Sequence, residues 1–225
     1  MKKIIILSVT LIISFTCFSQ VEVGAFGGPH TTITKYSISH FDQSTENKYG
    51  FHAGIACKIP FEVQLDFVPT ISYKLMGYKV SFNRPSYPPD LLAQNNDTRF
   101  HQVDVDILLQ YNFSQKPGHF ILRLGPSFNF ILFGHEKFDL ATGEYVSRNM
   151  KFSTTNGYGR YEASVTGQFG YETKSGLTFY VDYMHGLMSM NNEERGPSIY
   201  NRVAGITIGK FFRSKKIVVD TRNKE

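Results

Sequence analysis

Beyond residue 20, apolar and polar residues alternate with a period of two rather than 3.6. Between residues 120 and 132 one parity carries Phe120, Leu122, Leu124, Pro126, Phe128, Phe130 and Leu132, against Ile121, Arg123, Gly125, Ser127, Asn129 and Ile131 on the other. The same alternation marks residues 51–59, 63–74, 102–113, 161–171, 177–183 and 204–209, and more weakly 21–26. Because side chains of a strand alternate between two faces, these windows predict eight β-strands. Most approach the ~9–11 residues that a tilted strand needs to cross a bilayer.

The connections alternate in length. Long stretches at residues 28–48, 78–98, 135–157 and 187–200 are separated by short ones at Pro60, at residues 114–119 and at 173–176. This rhythm predicts an eight-stranded antiparallel up-and-down transmembrane β-barrel, with short periplasmic turns, longer outer loops and both termini on the short-turn side.

One parity is almost free of charge. The other collects Glu22, His52, Lys58, Asp66, Lys74, Asp104, Asp106, Arg123, Glu162 and Asp182. Two architectures give this pattern: a soluble periplasmic barrel with its apolar parity around a ligand, or a membrane barrel with that parity against lipid. Three features favour lipid. The charge-free parity is unbroken, and a charge there would cost ~2–4 kcal/mol at mid-depth. Tyr and Phe recur near strand ends, as an interfacial girdle requires. The polar parity is rich in Gly, Ser, Thr and Gln rather than in the Lys/Glu mix of a solvated face. Eight strands leave an interior just wide enough for side chains. The expected lumen is therefore a structural polar network of Lys58, Lys74 and Arg123 with Asp66, Asp104, Asp106, Glu162 and Asp182, since a buried charge needs a partner.

At the N-terminus, Lys2 and Lys3 precede an apolar run over residues 4–18, too short for a membrane helix. Such a sequence reads as a signal peptide, residues 1–19, cleaved between Ser19 and Gln20. Thr16 and Ser14 before Cys17 match a lipid-attachment site poorly. The barrel is then assigned to residues 20–212, with 213–225 as a polar periplasmic tail. The tail holds Lys215, Lys216, Arg222 and Lys224 and follows Phe211 and Phe212. It reads as a solvated extension or as a docking segment for a periplasmic partner.

Composition changes this picture little. The formal charge of +5 over 225 residues is too weak and dispersed for nucleic-acid binding. An aromatic share of 15% without Trp suits the girdle. With Cys17 in the leader, Cys57 is the single mature thiol and no disulfide framework exists.

Several short segments follow one another in order: Gly27-Gly28, then Gly50-Phe51-His52-Ala53-Gly54-Ile55 leading through Ile59-Pro60 to Val63-Gln64-Leu65, then Leu124-Gly125-Pro126-Ser127. Further pieces are Gly167-Gln168-Phe169-Gly170-Tyr171 and Asp182-Tyr183-Met184-His185-Gly186-Leu187. Together they give the chain a resemblance to the outer-membrane β-barrel family of Bacteroidota, the PorT-like group. It implies a location in the outer membrane, contact with outer-membrane lipid and the barrel-assembly machinery, and for some members a part in protein secretion. A periplasmic or secretion-system partner follows as an expectation.

Motifs for chemistry are sparse. The seven histidines show no metal-ligand spacing, and there is no phosphate loop, nucleophile elbow or cofactor fingerprint. His185 near Ser189 permits an outer-membrane lipid-modifying enzyme as the alternative, but no acid at fixed spacing completes a triad. Asp104 and Asp106 share one strand face and could act as an acid–base pair, though a lumenal cation is the simpler partner. The expectation is thus no catalytic residue, no metal and no cofactor. The outer connection with His135, Glu136, Lys137, Phe138, Asp139, Glu144, Tyr145, Arg148 and Lys151 forms a mixed surface suited to contacts.

Overall fold

A computed structural model describes residues 21–155 and 157–212. The expected leader with its expected Ser19–Gln20 cleavage site, and the expected tail at 213–225, lie outside the described residues. Ten strands follow in chain order: β1 (Glu22–Ile38), β2 (Phe41–Asp42), β3 (Ser44–Pro60), β4 (Leu65–Ser81), β5 (Asn95–Asn112), β6 (His119–Asp139), β7 (Tyr145–Asn149), β8 (Tyr161–Glu172), β9 (Leu177–Gly186) and β10 (Ser198–Phe212). Eight of them, all but β2 and β7, pair antiparallel with their chain neighbours. Pairing of β1 with β10, from Val23 against Phe212 to Ser37 against Ser198, closes the ring of eight strands. The short strands β2 and β7 are hairpin additions on β1 and β6.

The two parities sort as a membrane barrel demands. Phe128, Val165 and Ile107 point outward and are 55%, 42% and 40% exposed, whereas Asp104 is 0% and Glu162 4% exposed inside the ring. An apolar wall of this extent facing water would be untenable for a soluble barrel, which overturns the periplasmic alternative. Aromatic rings mark both ends of the wall. Tyr111, Phe113, Phe120, Phe169 and Tyr171 contact one another near the periplasmic turns, with centroids 5.1–6.3 Å apart. Phe51, Tyr73, His101 and Phe133 form the outer band across four strands.

The turns at the termini's end are tight: residues 61–64, 113–118 and 173–176. Gly176 is required in its turn. It adopts φ +80°, and a Cβ there would lie 2.7 Å from the Phe211 carbonyl oxygen. At the opposite end the strands run further than the alternation of the sequence indicates. Residues 28–48, expected as a long loop, are mostly β1 and β3 joined through a hairpin with Ser39 and His40 at positive φ. β4 continues to Ser81 and β6 to Asp139.

Two changes of pattern cause the difference. Beyond the outer aromatic band the barrel stands in water, so its inner side becomes the dry one. Met76, Tyr78 and Val80 of β4 turn inward while Lys79 faces out. In β6 an extra residue, Leu132, sits between the pairings of Ile131 with Gln102 and of Phe133 with His101. This bulge exchanges the faces, so that Gly134, Glu136 and Phe138 point inward.

Candidate functional site

The interior is layered. Nearest the periplasm, Ala56, Val68, Leu108 and Phe211 pack with Phe26. Around them the Lys58 ammonium sits between Glu22 (2.9 Å) and Glu172 (2.7 Å), 4.7 Å from the Phe211 ring centre. The Arg123 guanidinium donates to the Oε1 atoms of Gln110 (2.6 Å) and Gln168 (3.2 Å) and lies 5.1 Å from the Tyr180 ring centre. Asp66 accepts from Gln110 and Asn112.

At mid-height Lys74 pairs with Asp104 at 2.7 Å, and Asp104 also accepts from Gln102. Asp106 accepts from Thr70 and Ser127. His30 and His52 stack with their Nδ1 atoms 3.2 Å apart. His52 Nε2 meets the Thr207 hydroxyl at 2.7 Å, and that hydroxyl donates to Asp182. Glu162 accepts from Asn201.

Of the residues the sequence singles out for the lumen, all eight are thus inside the ring, and the pairings are specific. Lys74 joins Asp104, and Lys58 joins two acids at the strand ends. Arg123, Asp66, Asp106, Glu162 and Asp182 have amide or hydroxyl partners. Glu172 and His30 belong to the same interior, just beyond the alternating windows that end at Tyr171 and Phe26. Glu172 continues the parity of Glu162 and Gln168, which is the signal that identifies it.

Above this polar layer lies a dry one. Tyr36, Met76, Tyr78, Phe100, Ile131, Tyr158, Met184, Met190, Ile199 and Val203 fill the outer half of the ring. The crown is fastened onto it. Glu136, fully buried, accepts from Arg148 Nε (2.8 Å) and from the Tyr158 hydroxyl (2.9 Å). Arg148 also donates to the Pro89 carbonyl, and Tyr36 to that of Pro88. Burial pushes the Glu136 carboxyl above the ordinary range, against the pull of Arg148 and Tyr158. The Tyr158 phenol is likewise pushed well up by burial. Of the mixed outer surface expected from the sequence, Glu136 and Phe138 are therefore interior, while Lys137, Asp139 and Tyr145 face solvent.

This arrangement suits rigidity rather than passage. A space of about 10 Å³ beside Phe26, Arg123 and Tyr180 has room for one water. His185 lies on the outward face and meets the Tyr183 hydroxyl at 3.1 Å, while the Ser189 hydroxyl accepts from the amides of Asn191 and Ile199. The two are engaged separately. Among the described residues, no three His, Cys, Asp or Glu side chains are grouped to hold a metal ion.

A closed eight-stranded ring with an apolar wall and a polar interior defines an integral outer-membrane barrel. Residues 14–192 match the outer membrane protein beta-barrel domain, and the chain belongs to that family. Similar solved structures are Ail of Yersinia pestis (11% identity, TM-score 0.45, covering 86% of this chain and 99% of that one) and OprG of Pseudomonas aeruginosa (11%, 0.46, 87% and 97%). The outer membrane enzyme PagL is also similar (8%, 0.44, 84% and 98%). Comparison with curated proteins gives no match. The protein resides in the outer membrane.

Proposed function

We propose that this barrel is non-enzymatic and serves as a rigid mount for its outer crown, in a structural, binding or secretion-accessory role of the Bacteroidota PorT-like kind. The observation that carries this reading is the filled interior. Ion pairs and hydrogen bonds occupy the lower half, an aromatic and methionine core occupies the upper half, and the crown is bonded onto that core through Glu136, Arg148 and Tyr158. Such a stack holds a surface in place and suits a filled barrel rather than an open channel. The hydrogen bonds of His185 and Ser189 run to different partners and not to each other, which supports the non-enzymatic reading.

Planar-bilayer recording tests it: the purified barrel gives no stepwise conductance of porin size, and steady porin-like steps would reject the filled-lumen reading. Lipid profiles of cells carrying His185→Ala are expected to equal those of the parent; a missing lipid product would favour the enzyme. The leader and tail assignments belong to the same proposal. Amino-terminal sequencing of the membrane form is expected to start at Gln20, and removal of residues 213–225 tests whether a periplasmic or secretion partner docks there.

A further inference from the structure

Beyond the outer aromatic band, the outward face of β3 to β6 becomes basic. Gly77, Arg99 and His135 are register partners across three strands, and the next outward row is Lys79, Asp97 and Lys137. Lys48 joins them by lying across Gly77, where an added Cβ would come within 3.1 Å of its Cδ. Lys48, Lys79, Asp97, Arg99, His135 and Lys137 line a groove of about 520 Å³ on this outward face.

The charges in this groove are unequal. Asp97 is taken by Lys48, and Lys79 meets Glu46 at 3.6 Å in an exposed pair of little strength. Arg99 and Lys137 are exposed and have no ion-pair partner among the described residues. Their height is defined by the band below. Arg99 and His135 lie two residues beyond His101 and Phe133, and Lys137 lies four beyond Phe133. At ~3.3 Å per residue and a tilt near ~40°, this is about 5–10 Å above the aromatic rings. That is the level of lipid headgroups, just outside the hydrocarbon.

We propose that this groove binds the phosphorylated headgroup of an outer-leaflet glycolipid. Arg99 supplies the planar fork that matches a phosphate, Lys137 a second charged donor, and Lys79 the flank. A lipid is favoured over a soluble polyanion because the groove lies on the outward face of the barrel at headgroup height. The inference depends on the outer-membrane location and is independent of the role proposed for the crown.

The test is native mass spectrometry of the full-length barrel released from detergent micelles, titrated with phosphorylated lipid A and with the same lipid after phosphatase treatment. The phosphorylated form is expected to be retained preferentially. Arg99→Gln/Lys137→Gln is expected to weaken it about tenfold or more, the loss of two charge-assisted hydrogen bonds. Lys116→Gln at a periplasmic turn is expected to have no effect, and heat-dependent gel mobility verifies that each variant is folded. Equal retention of the two lipids, or unchanged binding by the folded double variant, overturns the proposal. So does full displacement of the lipid by inorganic phosphate, or heparin binding in lipid-free micelles with the same dependence on Arg99 and Lys137, either of which would assign the groove to a soluble anion.

Discussion

The Lys74 ammonium and the Asp104 carboxylate meet at 2.7 Å in the middle of the barrel, contributed by adjacent strands and both shut off from solvent. Their attraction offsets the desolvation of two charges only while both are present. Lys74→Met is therefore expected to lower unfolding stability by about 3–5 kcal/mol, and Lys74→Met with Asp104→Leu to recover most of it. Urea unfolding in lipid vesicles measures both; a double variant as unstable as the single one would show that the pair is not coupled.

The lipid wall makes a separate prediction. Val165 lies outward at mid-strand, opposite Pro126 of β6. Val165→Arg is expected to cost about 2–4 kcal/mol in vesicles. Tyr145→Arg, on the solvent side of the crown, is expected to stay within about 0.5 kcal/mol. Equal costs at the two sites would place Val165 outside the hydrocarbon.

Gly176 and Gly143 separate two effects of glycine. Both have positive φ, but only Gly176 has a neighbour within 4 Å of an added Cβ, the Phe211 carbonyl. Alanine at either position carries the left-handed cost of about 1 kcal/mol, and alanine at Gly176 adds the clash, for a total of up to about 3 kcal/mol. Matching unfolding midpoints for the two variants would remove the steric part of this account.

The crown should respond to pH. The Glu136 carboxyl, above the membrane, holds its proton more tightly when folded because burial outweighs Arg148 and Tyr158. A raised folded pKa contributes stability that is complete below the unfolded value, near ~4.3, and is lost as pH rises through the folded one. Amide-exchange protection of β7 is expected to fall over that interval in the parent and to stay flat in Glu136→Gln. A parent profile as flat as that of the variant would contradict the assignment.

Much of this architecture is legible in period two alone, because a strand between lipid and a polar lumen contrasts its faces at every step. Phe128 against Asn129 and Val165 against Glu162 are read correctly without coordinates. The contrast fails where its physical cause ends. Above the outer band Lys79 must face out and Tyr78 in, so apolar and polar exchange places and the strand looks like a loop. Leu132 hides a second exchange, since one inserted residue shifts the parity of everything after it. Pairing is the other gap. Parity places Lys58, Arg123 and Asp66 in one lumen, but the ring's register decides that Lys58 meets Glu172 and that Arg123 meets Gln110 and Gln168. The outer basic groove is invisible for the same reason, as Arg99 and Lys137 become neighbours only across β5 and β6.

The central claim is that the apolar parity contacts hydrocarbon while the charged parity is enclosed. In a Cys57→Ser background, single cysteines at Phe128, Val165 and Ile107 and at Asp104, Asp106 and Glu162 can be exposed in intact outer membranes to a membrane-dissolved photoactivated carbene reagent, whose insertion needs no thiolate. The first three are expected to react and the last three to be protected until the barrel is unfolded. Rapid labelling at Asp104 and Glu162 with protection at Phe128, Val165 and Ile107 would contradict the account.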